Sequence, residues 1–369
     1  MVRRKNHGLL IAGDGASAAL AALAMARWRP EVPLLLVGED GRLGGDPVPL
    51  LLDESLGDDE RELLEPCTEA RWDGVYAVLP GRTRKLKLSC RLVTPERIEA
   101  AVRAAVPAER LRLDRRIVAV RDTSLLLDGG DTLDGDGAID ARAWAQQTTL
   151  ELRWRHSLRR VCDLPAPHRL DLPVLIDITV PAGPGCAHFA CTPLTGTRLA
   201  VEHVRYAGGP DAGAEAAGQA LDRYLAARGW SAGALVSEAA NSLPVALGGD
   251  FAAYYRIGGA RVAKLGPRGG FTFPTTGSPL PDAARTALLL AGQRDLGGSA
   301  LHDLFEEAAL ASWRRREFHR EFDRRLFVAG SCVPLAALFG LDAALVGRFF
   351  AEHLGLFDRR KLTAAVAEP

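Results

Sequence analysis

The chain reads as a doubly wound α/β unit with an inserted antiparallel sheet and a helical C-terminal region. Three observations predict this. An apolar run, a glycine turn and an alanine-rich helical stretch open the sequence; longer alternating strands begin near Leu150; and the last seventy residues lack strand periodicity.

The opening segment carries the organisation. Gly8 to Ala12 is apolar, Gly13-Asp14-Gly15-Ala16-Ser17-Ala18 starts a helix that runs to Arg27, and Val32 to Val37 is a second apolar run. Strand, glycine turn, helix and strand in that order form a GxGxxA version of the dinucleotide fingerprint. Gly13 permits the tight turn, and Gly15 lets backbone approach a pyrophosphate resting on the helix N-terminus. The acidic residue expected to close the second strand and hold a ribose is displaced: Val37 and Gly38 stand there and Glu39 follows.

After Gly44-Gly45 an acidic stretch from Asp53 to Glu69 reads as an excursion over the first domain. Thr94-Pro95-Glu96-Arg97 starts a helix, with Thr94 as cap and Pro95 in the first turn. Arg110–Val120, Ser124–Leu127 and Gly137–Ile139 are expected to return to the same sheet. From Leu150 onward, Leu150–Trp154, Val174–Val180, Ala187–Thr192 and Arg198–Tyr206 alternate as an antiparallel sheet with one covered face would. Ala214–Arg228 is a helix ended by Gly229, Asn241–Gly248 is another strand, and a helix follows from Asp282 to Ala291. The expected division is 6–53, 86–150 and 258–300 for a discontinuous cofactor domain, with 54–85 the excursion. The sheet domain would take 151–257 and the helical region 301–369.

Bulk properties narrow the function. With 46 basic and 46 acidic residues the net charge is zero, so no long-range field favours nucleic acid. The six cysteines have no framework spacing and no signal peptide precedes the first strand, from which reduced thiols and a cytoplasmic setting are expected. No apolar run approaches the roughly 20 residues of a membrane span. The chain is therefore expected to be soluble or to lie on a membrane surface. Cys186, His188 and Cys191 lack a second ligand pair for structural zinc, so no metal is expected. Arg314-Arg315-Arg316 with Arg320, Arg324 and Arg325 reads as a solvated helix face or, next to Phe318 and Phe322, as one resting on anionic lipid.

The layout is analogous to flavoprotein monooxygenase-like folds, and longer segments make the likeness specific. Leu175-Ile-Asp177-Ile-Thr179-Val180, then Pro193-Leu194 and Arg198 to Tyr206, resemble the bacterial lycopene β-cyclase family. So do Ser242 to Gly248, Phe273-Pro274-Thr275-Thr276-Gly277 through Pro281, Trp313 with Phe322–Phe327, and Phe339 through Phe350 to Asp358. The resemblance spans nearly the whole chain, as a divergent member. It implies a FAD/NAD(P)-binding Rossmann-like fold and a flavoprotein that closes rings at the ends of a linear carotenoid without net redox change. Reduced FAD is the implied cofactor and NAD(P)H its reductant. A membrane surface and other carotenoid-biosynthesis enzymes are the implied partners.

On this resemblance Glu202 matches the family's essential acidic position, expected to act as acid or base and to be held dry and protonated in a greasy tunnel; a solvent-facing strand glutamate is the alternative. Gly13, Gly15 and Glu39 would hold the adenosine side of FAD, and Arg97, Pro274, Thr275, Thr276 and Gly277 its phosphates or ring.

The departures fall near the chemistry. His203 replaces a second acidic residue and would face away from Glu202, because neighbours in a strand point apart. Asp46-Pro-Val-Pro-Leu50 replaces an Asn-His-Thr-Trp-type run. Asp140-Ala141-Arg142-Ala143 replaces Asp-Gly-Arg-Gly, with methyl groups expected to obstruct the cofactor. Phe273 and Ser278 replace His and Tyr, and Ala187, His188 and Ala190 replace an Arg and two aromatics. Two rivals stand beside the cyclase: a flavin-dependent monooxygenase-like oxidoreductase on an apolar substrate, and a non-catalytic polyene-binding paralogue.

Overall fold

The computed structural model describes residues 7–46, 50–144, 149–211, 213–230, 233–259 and 261–367; of the divergent run at 46–50, positions 47–49 lie outside them. The first elements are β1 (Leu9–Ala12), α1 (Ala16–Trp28) and β2 (Leu34–Val37). Every residue of β1 and β2 is buried, as expected for parallel strands covered on both faces. Two hairpin strands follow, β3 (Val75–Leu79) and β4 (Arg82–Leu86), then α2 (Pro95–Ala105) and β5 (Gly137–Asp140). The Thr94 hydroxyl caps α2 by accepting from the Arg97 amide at 3.3 Å.

The second half supplies β6 (Leu150–Asp163), β7 (Val174–Asp177), β8 (Cys186–Pro193), β9 (Arg198–Ala207), α3 (Ala214–Ala227) and β10 (Ala234–Gly249). It ends with α4 (Leu280–Gly292), α5 (Gly298–Arg315), α6 (Glu317–Val328), α7 (Val333–Gly340), α8 (Ala343–Phe350) and α9 (Leu356–Ala367).

Two large sheets result. Ala263–Lys264, β5, β1, β2 and Leu111–Arg112 line up in that order, all parallel. The other sheet has seven strands in the order β10-β6-β9-β8-β7-β3-β4, antiparallel except for the parallel β7–β3 pair. Helix α1 packs against α4 and α2; its alanines allow close approach, and ten of its thirteen residues are buried.

Four expectations need correction. Val75–Leu86 is no excursion but completes the seven-stranded sheet through β7. Residues 117–134 form a three-stranded antiparallel sheet of their own, so of the strands expected to return, only Leu111–Arg112 and β5 join the parallel one. Short hairpin strands carry no signal for which sheet edge they will meet. The thiols are not all reduced: Cys186 on β8 and Cys332 before α7 form a disulfide across 146 residues, and Cys67, Cys90, Cys162 and Cys191 are free. Finally, the arginine run is only in part a solvated face: Arg314, Arg315 and Arg324 are exposed, whereas Arg316 is 3% and Arg320 8% exposed.

Arg316 joins separate parts of the chain. It donates to both Asp282 oxygens at 2.7 and 2.8 Å, to Glu352 at 2.5 Å and to the Thr272 carbonyl at 3.1 Å. Burial alone would raise the Glu352 pKa. Arg316, Arg315 and Arg285 overcome that and hold it at about 2.

Arg316→Ala leaves two buried carboxylates without their main cation and is expected to cost about 3–5 kcal/mol in urea unfolding. Because the folded pKa of Glu352 lies below its ordinary 4.5, its contribution is full above that value and is lost as pH falls toward 2. Glu352→Gln should therefore flatten the acid limb of stability against pH. Thiol titration of the denatured, unreduced chain should count four groups, and six after reduction.

Candidate active site

The glycine turn between β1 and α1 is built as its spacing predicts. Gly13 has φ +125°, and a Cβ there would come within 2.8 Å of the Ala141 carbonyl oxygen. Gly15 differs: a Cβ would meet no heavy atom within 4 Å, so the end of α1 opens onto free space. The Ser17 hydroxyl beside it is buried without a partner. Room at a helix N-terminus fits a pyrophosphate, whereas the Ser17 hydroxyl is enclosed against Gly266 and does not open onto that space.

The other residues expected around this turn gather with varying closeness. Gly44 bridges Gly15 and packs on Pro95, which brings the first turn of α2, and Arg97 with it, to the same edge. The Arg97 guanidinium donates to the Thr68 carbonyl at 3.4 Å. One Glu39 oxygen accepts from the Ile117 amide at 3.1 Å. Asp14 was not anticipated: its carboxylate accepts from the Glu39 and Asp40 amides at 2.9 and 3.1 Å and thereby shapes the loop after β2. Gly38 leaves space for it, since a Cβ would lie 2.8 Å from that of Asp14. The Ala141 methyl, expected to obstruct a cofactor, is buried in the domain core instead.

Glu202 lies at a cavity that opens between the seven-stranded sheet and the C-terminal helices. Its period-2 position fixes this. Glu202, Val204 and Tyr206 line the cavity, whereas His203 points to the opposite face and bonds the Ala182 carbonyl at 2.7 Å. Most of the wall is apolar, including Leu52, Ile176, Leu335, Phe339 and Phe350.

One part of the wall is polar. Arg155 on β6 donates to Glu202 at 3.2 Å, with side-chain exposures of 6% and 14%. Glu202 is thus half of an enclosed ion pair rather than the isolated, dry acid expected. Across the sheet, Arg155 stands opposite Tyr206, and Arg159 opposite Glu202. Burial raises the Tyr206 phenol to about 12, against the opposing pull of Arg155. Burial and then Arg155 lower His188, on β8, to about 3, so it lines the cavity as a neutral ring. Arg155 could have been found from strand spacing alone, since it shares a face with Arg159 in an alternating strand.

The turn Phe273–Ser278 forms another stretch of wall. Phe273, Thr275 and Thr276 line the cavity with Glu202, while Pro274 faces a smaller cleft beside Trp313. Gly277 has φ +67° and donates from its amide to Phe273. The segment leading into this turn also touches the glycine turn, because Gly266 lies against Ser17. The expected site residues therefore fall into two connected groups, one at the N-terminus of α1 and one at the cavity.

Cys186, His188 and Cys332 lie close together, but the disulfide between the two cysteines leaves no thiolate there to bind a metal. Cys191, weighed with the first two in the sequence, lies on the other face and contacts Tyr224.

Comparison with known proteins agrees with this architecture. The family model described as "Lycopene cyclase protein" matches residues 8–367. A lycopene beta-cyclase from Pseudescherichia vulneris is 29% identical over 358 residues, covering 96% of this chain and 92% of its own. Among solved structures, a geranylgeranyl bacteriochlorophyll reductase-like protein from Thermoplasma acidophilum superposes with a TM-score of 0.64 at 12% identity, covering 99% and 97% of the two chains. A flavoprotein/dehydrogenase from Cytophaga hutchinsonii gives 0.63 at 12%, covering 98% and 96%. The fold is thus that of flavoproteins, and with its family model matched from end to end the chain belongs to the lycopene cyclase family.

Proposed function

We propose that the protein closes rings at the ends of a linear carotenoid, with Glu202 as its catalytic carboxylate and FAD as its cofactor. The observation that carries this reading is a mostly apolar cavity whose polar wall holds Glu202 paired to Arg155. A hydrocarbon chain needs such walls, and a non-redox cyclisation needs a group that exchanges protons inside them.

The chemistry balances without an external oxidant. Protonating a terminal alkene uses its π pair to form a C–H bond and leaves a tertiary cation. The next double bond attacks that cation to close the ring, and a base then removes a ring proton whose C–H pair becomes the new double bond. Glu202 gives the first proton to the alkene; its carboxylate, oriented by Arg155, then stabilises the cation and takes back the ring proton, so the proton count closes on one residue. The faces of Tyr206, Phe273 and Phe350 shield the cation from water and offer π density to it.

Gly13, Gly15, Glu39 and Arg97 would hold the adenosine and phosphate end of FAD, and Thr275, Thr276, Gly277 and Pro274 its ring end. The open N-terminus of α1 supports this placement. FAD held by these residues and reduced by NAD(P)H would supply electron-rich π density to the reaction.

A carotenoid dissolves in lipid, so the protein must meet a membrane surface, where other carotenoid-biosynthesis enzymes would hand over their product. Leu356 and Phe357, 75% and 85% exposed and followed by Arg359, Arg360 and Lys361, support a cytoplasmic peripheral contact. Among the described residues no single helix is long and apolar enough to cross a membrane.

Expression in a lycopene-accumulating host should convert red lycopene to a cyclic product, and the purified protein should show flavin absorbance. Glu202→Gln should lower cyclisation by about 10²–10⁴-fold with the flavin retained. Unchanged pigment with bound flavin would instead favour an oxidoreductase, and absence of both a polyene-binding paralogue. Leu356→Asp/Phe357→Asp should reduce co-sedimentation with anionic vesicles while leaving thermal unfolding in place.

A further inference from the structure

The inward face of α6 carries a second carboxyl group close to the cavity. Arg320 and Asp323 on that face, with Arg316 just before the helix, are nearly or fully enclosed, Asp323 at 0% exposure. The two arginines are answered. Arg316 has Asp282 and Glu352, and Arg320 donates to the Trp313 carbonyl and lies over the Trp313 ring at 3.7 Å.

Asp323 is not answered in this way. Neither of its oxygens has a partner in regular hydrogen-bond geometry. An ionised carboxylate so placed would cost several kcal/mol, whereas the neutral acid keeps an O–H to donate. Burial raises its pKa well above the ordinary carboxylate range, with Thr275 and Arg320 only partly opposing. The Thr275 hydroxyl lies against this carboxyl and is itself enclosed without a regular partner. On its other side the Thr275 carbonyl accepts from the Tyr206 phenol at 2.9 Å.

One residue of the Phe273–Ser278 turn is therefore held between β9 and α6. We propose that Asp323 is a positioning residue for ring closure: its carboxyl O–H donates to Thr275 Oγ1 and, with Tyr206, fixes the turn that presents Phe273, Thr275 and Thr276 to the cavity. The proton is shared and not transferred. This inference rests on the cyclase reading for its catalytic consequence, but not for the contact itself.

Asp323→Asn and Asp323→Leu in the flavin-loaded protein separate the outcomes. Leucine is similar in volume and removes the buried polar group, so its melting temperature should match or exceed that of the wild type. Its kcat should nevertheless fall about tenfold or more with KM little changed, as expected of a displaced wall. Asparagine keeps a donor and should recover most of that loss. A fully active leucine variant would overturn the proposal, and so would an asparagine variant as poor as leucine, since that would make the proton itself the transferred one.

Should leucine fail to fold, Thr275→Val removes the acceptor from the other side and should give the same fall in kcat; unchanged kcat there would count against the contact. Infrared spectroscopy reads the contact without turnover. A neutral carboxylic acid band present at neutral pH in the wild type should vanish in Asp323→Asn, and its absence from the wild type would overturn the proposal even if no lycopene is cyclised.

Discussion

The guanidinium of Arg316 is the constraint on which the closed cavity depends. It ties α4, which packs on the glycine-turn helix, to Glu352 at the end of α8 and to the Thr272 carbonyl just before the cavity turn. Replacing such a buried pair with apolar residues is often energetically neutral. What the cluster supplies is a defined relative position: two carboxylates converge on one planar cation, and any slip of α8 against α4 leaves a charge unpaired. Glu352 adopts φ +61°, a left-handed conformation uncommon outside glycine, and the three arginines around it offset that strain. The helices held in this way bring Leu335, Phe339 and Phe350 to the cavity.

The cavity then combines two requirements that oppose each other. A hydrocarbon substrate and a carbocation both call for exclusion of water, yet proton exchange calls for a charged or acidic group. The seven-stranded sheet reconciles them through its register. Arg155 and Glu202 share a face and reach each other diagonally across β6 and β9, so the charge is compensated where it is buried. On the reverse face Val201 and His203 enter a separate core, and the polar wall stays confined to one side of one sheet.

Local signals made much of this legible. The GxGxxA turn, the Thr94 cap, the helix after Gly213 and the opposite orientations of Glu202 and His203 follow from spacing, capping and strand alternation, which act within a few residues. The unread parts are all long-range. Nothing in Val75–Leu79 says that it will pair with β7, at Val174–Asp177 far along the chain, and nothing near Cys186 points to Cys332. Arg316 and Asp323 sit in a sequence so rich in charge that a solvated helix is its natural reading. Their burial is decided by Asp282, Glu352 and Thr275, which reach them only in the folded chain.

Ala141 shows why motif departures are a poor measure of a degraded cofactor site. The expected harm came from a methyl group replacing a glycine hydrogen, but harm depends on where the methyl points. At Ala141 it enters the core beside α1, and the backbone carbonyl is what approaches the glycine turn. The close contact is spared by Gly13, where a Cβ would strike that carbonyl, and the ligand space is left by Gly15, where a Cβ would strike nothing in the protein. Both of those glycines are present. The chain has changed residues around this turn while keeping the glycine that spares a backbone clash and the glycine that leaves the helix end open.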